Sequence, residues 1–179
     1  MTVPDTTQRL GPAETALLLV LASMWGLSFL FVEIALRVLP PVWIVAARVC
    51  IGALVLLVIV AVMRVGLPRD LAMWRRLVLL GILNNAVPWT ALAWAQQTLP
   101  SGLTALMMAM VPMSSLLVSV LVGLERMTLP RLTGLLLSLA GVALMVGGDL
   151  GNIDRVTAML VVLAATALYA VGAVYAKQR

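Results

Sequence analysis

The sequence predicts an all-α fold, a polytopic membrane helix bundle of about six transmembrane helices. Three observations carry this. Of 179 residues, 63% are hydrophobic and 11% charged, with a mean hydropathy of +1.13, whereas a soluble domain is about half apolar and about a quarter charged. The apolar residues fall into runs of about 20, the length that crosses a hydrocarbon core about 30 Å thick as a helix. The links between runs, such as "RVGLPRDLAM" and "ERMTLPR", are short and rich in arginine, glycine or proline, so they read as turns and leave no room for a soluble domain.

In chain order, residues 1–12 hold few large apolar side chains and are expected to form a cytoplasmic tail. The run at 13–36 is too long, and too polar in its approach, for a cleavable leader and is read as the first span. Further spans are expected at 41–63, 74–98, 100–123, 129–148 and 156–176. Trp43 and Trp74 fall near predicted interfaces, where indole rings favour the headgroup region. Trp25, Trp89 and Trp94 lie deeper, where helix packing and substrate contact both remain open readings.

Arg9, Arg64, Arg69, Arg75, Arg76, Arg126, Arg131, Lys177 and Arg179 lie on the amino-terminal side of the bundle, and only Arg37 and Arg155 on the other. Cytoplasmic loops carry the positive excess, so both termini are expected in the cytoplasm of a multi-pass inner (plasma) membrane protein. The net charge of +5 does not point to nucleic acid, because the basic residues are spread between apolar runs. With no histidine and a single cysteine, Cys50, an intrachain disulfide is excluded and no metal or other cofactor is expected. Cys50 sits in an apolar run and reads as a small packed residue.

The first and sixth runs share a pattern. "VLASMWGLSFLFVE" and "VLAATALYAVGAVYAK" both start with VLA, then place an aromatic (Trp25, Tyr169) and a glycine (Gly26, Gly172). Five spans separate the copies, and an odd number makes the second enter the membrane from the opposite side, as in inverted-repeat transporters. Together with "WGLSF" at 25–29, "LPPVWIVAAR" at 39–48, "LPSGLTALMMAMVPMSSLLVSVLVGLER" at 99–126 and "GLLLSLAGVALMVGG" at 134–148, the sequence resembles the EamA-type permeases of the drug/metabolite transporter superfamily. The resemblance covers nearly the whole chain from Ala13 onward. It implies a secondary transporter of small metabolites, amino acids or drugs built of two five-helix repeats. On that pattern, 13–148 is one repeat and 149–179 the first helix of an incomplete second, so the chain reads as one half of an inverted-repeat transporter. The expected partners are a small-molecule substrate and the lipid bilayer, with a missing second half or a second copy completing the assembly. The basic bias disfavours an antiparallel homodimer, because dual insertion needs loops of nearly balanced charge.

The candidate site residues are Trp25, Ser28, Arg48, Asn84, Asn85, Pro88 and Gln96. In a helix turning about 100° per residue, Gly81, Asn84, Asn85, Pro88, Leu92 and Gln96 share one arc of about 120°. Pro88 has no N–H, so the carbonyl of Asn84 loses its helical partner near mid-membrane, where only protein or water can replace it. The functional reading is a polar face lining a central cavity; the plainer one is interhelical bonds worth about 0.6 kcal/mol each around a simple kink. Arg48 lies seven residues beyond Pro41, about 10 Å into the membrane at about 1.5 Å per residue. A charge there costs about 2.5–3.5 kcal/mol on insertion scales and faces the protein interior. It reads either as a structural anchor or as a counter-ion for an anionic or zwitterionic substrate, with Glu33 the nearest acid. Glu33 can instead pair with Arg37 one turn on, and it sits too shallow to support proton coupling.

Met107, Met108, Met110 and Met113 beside Pro112 suit an adaptable pocket, although core packing is the commoner role. Gly134, Ser138 and Gly141 form a small-residue stripe expected to allow close helix contact. An intramembrane enzyme is disfavoured: a serine–histidine pair is impossible without histidine, and Asp5, Asp70, Asp149 and Asp154 fall in loops or the tail. A channel is the other alternative, but "NNAVP" lacks the Asn-Pro-Ala order of water channels and a second copy.

Overall fold

The computed structural model describes residues 11–68, 70–147 and 151–177. The described residues form six helices: α1 (Pro12–Ala35), α2 (Pro41–Val62), α3 (Leu71–Ala95), α4 (Ser101–Leu121), α5 (Leu129–Gly147) and α6 (Ile153–Lys177). All but α5 are long and apolar enough to cross a membrane, and α5 adds a shorter apolar stretch, Leu129–Leu144. No strand occurs among the described residues, so the expected all-α membrane bundle is what forms. Residues 1–10 of the expected tail, with Asp5 and Arg9, lie outside the described residues, as do Arg69, Asp149 and Arg179.

Two helices begin three residues earlier than hydropathy suggests, and caps explain both. The Asp70 carboxylate accepts from the Ala72 N–H (3.0 Å) and starts α3, while Asn152 Oδ1 accepts from the Arg155 N–H (3.1 Å) and starts α6. Caps lie outside the apolar run they open, so an apolar count misses them. Two helices also end alike. Beyond α2, Arg64 takes φ 52° and the Val65 N–H reaches the Val60 carbonyl (3.1 Å); beyond α4, Gly123 takes φ 77° and the Leu124 N–H reaches the Ser119 carbonyl (2.8 Å). These are left-handed C-terminal caps, easy for glycine and strained for arginine.

α3 and α4 are both broken at mid-length. α3 passes through a π-helical turn, Ile82–Ala86, that ends two residues before Pro88, with the Val87 N–H bonded to the Ile82 carbonyl. α4 opens at 109–110, ahead of Pro112, where the Ala109 and Met110 N–H groups reach back only three residues (3.1 and 3.0 Å). Each proline removes an N–H and crowds the preceding turn, and the backbone re-pairs around it.

α6 is the central element, packed along α4 and the second half of α3. It buries Ala158, Met159, Val162, Ala165, Thr166, Ala170 and Val174, a stripe of mostly small side chains at helical spacing. α1 touches the first half of α4, α2 leans on the second half of α3, and α5 meets α4 only lightly. Residues 12–27 of α1, 46–59 of α2 and most of 71–79 of α3 are exposed, while Phe29, Val32, Val45, Leu92, Leu99 and Met107 share one core. The three helices therefore splay apart at the end that carries the 63–70 connection and converge at the other.

Three smaller expectations are corrected. A Cβ on Gly134 or Gly141 would meet nothing within 4 Å, so these two glycines make no close helix contact among the described residues. Cys50 is exposed on α2 and not packed. Glu33 accepts from the backbone N–H of Ser101 (2.7 Å), stapling α1 to the start of α4, and is not the partner of Arg48. The preceding Pro100 has no side-chain acceptor, so a carboxylate from another helix fills the capping role.

Candidate functional site

Arg48 organises the site. Its Nη1 donates to Ser28 Oγ on α1 (2.8 Å), and its guanidinium carbon lies 3.6 Å from the centre of the Trp89 ring on α3. A cation over an indole face gains about 0.5–2 kcal/mol, most where water is excluded. Trp89 is buried and held by two further rings, Trp25 at 6.1 Å and Phe29 at 6.2 Å between centroids. Tyr169 of α6 completes the group beside Trp89 and within electrostatic reach of Arg48; its hydroxyl is buried with no hydrogen-bond partner among the described residues.

A cleft of about 490 Å³ opens between α2 and α3 with Arg48 and Trp89 in its wall. From α2 it takes Val49, Gly52, Ala53 and Leu56, one face at helical spacing. From α3 it takes Asn85 with Val78, Gly81, Ile82 and Ala86. A second pocket of about 390 Å³ lies between α1 and α2, lined in part by Met24, Ser28 and Ile44, and Arg48 borders both. The cleft runs from Arg48 toward the 63–70 connection. At the opposite end Gln96 Nε2 donates to the Phe29 carbonyl (3.2 Å) and Glu33 holds Ser101, closing α1, α3 and α4 together.

The single polar face expected on α3 does not survive the π turn. That turn holds about one extra residue, which rotates everything beyond it relative to what comes before. Asn84, Asn85 and Gln96 consequently meet three different neighbours. Asn85 lines the cleft. Asn84 lies against α6, so close that a Cβ on Gly172 would fall 2.7 Å from its Cγ. Gln96 is buried against α1, and Pro88 is buried in the bundle. Of the residues singled out by sequence, Ser28, Arg48 and Asn85 line the cleft or its neighbour and Trp25 packs on Trp89, while Asn84, Pro88 and Gln96 line neither pocket. None of the four clustered methionines lines the cleft, and Met107 is in the core.

Sequence reading left Trp89 among three undecided tryptophans and gave Tyr169 and Gly172 no site role. The signal existed in the weak likeness between the first and sixth runs. Its two aromatics, Trp25 and Tyr169, arrive at the same Arg48–Trp89 stack, and its second glycine is the point where α6 meets Asn84.

The EamA-like transporter family model matches residues 14–147, which spans α1 to α5. No curated protein and no solved structure gives a significant match. The chain belongs to the EamA-like transporter family, a family of membrane proteins that carry small molecules.

Proposed function

We propose that this protein is an inner (plasma) membrane permease that exports small metabolites, amino acids or drugs by alternating access, with both termini in the cytoplasm. The observation that carries the reading is the shape of the Arg48–Trp89 cleft, open toward the basic 63–70 connection and closed at the Gln96–Phe29 end. By the basic-loop rule the open end is cytoplasmic, so this is the inward-facing arrangement. The two places where α3 and α4 already lack regular helical bonds, Ile82–Ala86 and 109–110, supply bending points for closure on the cytoplasmic side. In this reading 13–148 is one five-helix repeat and α6 the first helix of a second, with the rest of the site supplied by further helices or a second copy. A small molecule enters the cleft, meets Arg48, Asn85 and Trp89, and leaves after the Gln96 and Glu33 contacts part. Efflux measured in cells expressing the full-length protein tests it: Asn85→Leu should abolish export and leave membrane insertion intact. Asn84→Leu should do the same by disturbing the α6 contact. Unchanged export in both variants refutes the assignment.

A further inference from the structure

The cleft also carries information about the chemistry of what it holds, an inference that rests on the reading above. Arg48 brings a full positive charge into the membrane-spanning part of the bundle. Its polar contacts are one hydroxyl, Ser28, and one ring face, Trp89. Neither neutralises it, and no acidic side chain lines the cleft or the pocket between α1 and α2. The acid closest in sequence, Glu33, is occupied by the Ser101 backbone. A guanidinium has five N–H donors, and Ser28 engages one of its nitrogens. Asn85 lines the same cleft, and its amide has no hydrogen-bond partner among the described residues. The remaining lining is aliphatic apart from the Trp89 indole.

We infer that the cleft takes a small organic monocarboxylate with an apolar or aromatic body and without an ammonium group, its carboxylate on Arg48 and Asn85 and its body against Trp89. Charge decides the class. One arginine balances one negative charge, so a phosphate dianion would leave one charge without a counter-ion, since Arg48 is the one cationic side chain that lines the cleft. An amino acid would bring an ammonium for which no acidic side chain lines the cleft and which the Arg48 charge repels. A neutral molecule would leave Arg48 as unneutralised as it is now. A cleft of about 490 Å³ lies within the usual size range for small-molecule sites.

Calorimetric titration of the purified full-length protein in lipid nanodiscs tests this with four probes sharing one skeleton: 3-phenylpropionate, 3-phenylpropanol, 3-phenylpropylamine and phenylalanine. The acid should bind about tenfold more tightly than the other three, the scale of one charge-assisted hydrogen-bond pair. Arg48→Gln should erase that preference, Arg48→Lys should keep its direction, and Asn85→Leu should weaken the acid more than the alcohol. Equal binding of alcohol or amine by the unmodified protein overturns the inference without any variant having to fold, and so does a preference that survives Arg48→Gln. If the alcohol binds but the acid gains nothing, the cleft remains a binding site and only the class is wrong. If none of the four binds, the monocarboxylate assignment falls, and the export assay on Asn85→Leu judges the broader reading separately.

Discussion

α2 and α6 are both apolar helices long enough to span a membrane, yet they occupy opposite environments. Over its most apolar 18 residues α2 is the more hydrophobic, with a mean hydropathy of 2.8 against 2.1, yet 6% of that stretch is buried against 39% of the corresponding stretch of α6. In water the greasier helix would be the inner one. In a bilayer lipid is as apolar as leucine, so hydrophobicity decides only that a helix is in the membrane, and close packing decides which helix sits at the centre. α6 qualifies through Ala158, Ala165, Ala170 and Gly172, which let α3 and α4 approach, and through Thr166, whose hydroxyl lies 3.0 Å from that of Ser114. α2 instead presents Leu, Val and Ile to lipid on one side and the cleft on the other.

The contrast can be broken by substitution. Met159→Ala in α6 removes a fully buried side chain and should lower thermal stability in detergent by about 2–5 kcal/mol, while Leu54→Ala on the exposed side of α2 should stay within about 0.5 kcal/mol. Equal losses would mean that α6 is not the central helix. Gly172→Leu should cost about 1–3 kcal/mol by driving α6 off Asn84, and Gly141→Leu, where the added atoms meet open space, should be near neutral by the same assay. Gln96→Leu removes one interhelical bond to the Phe29 carbonyl and should cost about 0.6–1.7 kcal/mol. The smallest effect runs the other way: Arg64→Gly relieves a left-handed arginine and should stabilise the end of α2 by up to about 1 kcal/mol. A lower melting temperature for that variant would show that the arginine side chain matters more at the headgroups than its backbone does.

How far the fold was legible follows the same division. Length, hydropathy and prolines located all six helices, because those properties act within one segment. Helix starts at Asp70 and Asn152 were missed because capping is a property of the residue before the apolar run. The π turn was not foreseen, although Pro88 was: the missing N–H is visible in sequence, but the way the backbone re-pairs depends on α6 packing against that turn. Partners across helices were the least legible. Glu33 had plausible charged neighbours in Arg37 and Arg48 by spacing, yet it caps α4, because an amide at the start of a helix with only Pro100 before it lacks a local acceptor. Arg48 stood out in sequence as a charge within an apolar run, but its seat on Trp89 depends on the crossing of α2 and α3.

In the proposed permease one face of α2 lines a water-filled substrate cleft while the other faces lipid. Cysteine accessibility measures this most directly, in the full-length protein in membrane vesicles, with a membrane-impermeant maleimide and the native Cys50 as internal control. Cysteines placed singly at Val49, Gly52, Ala53 and Leu56 should label from the cytoplasmic side, and Cys50 and a cysteine at Leu54 should not. Silence at the four cleft positions, or equal labelling around the whole helix, would contradict the account.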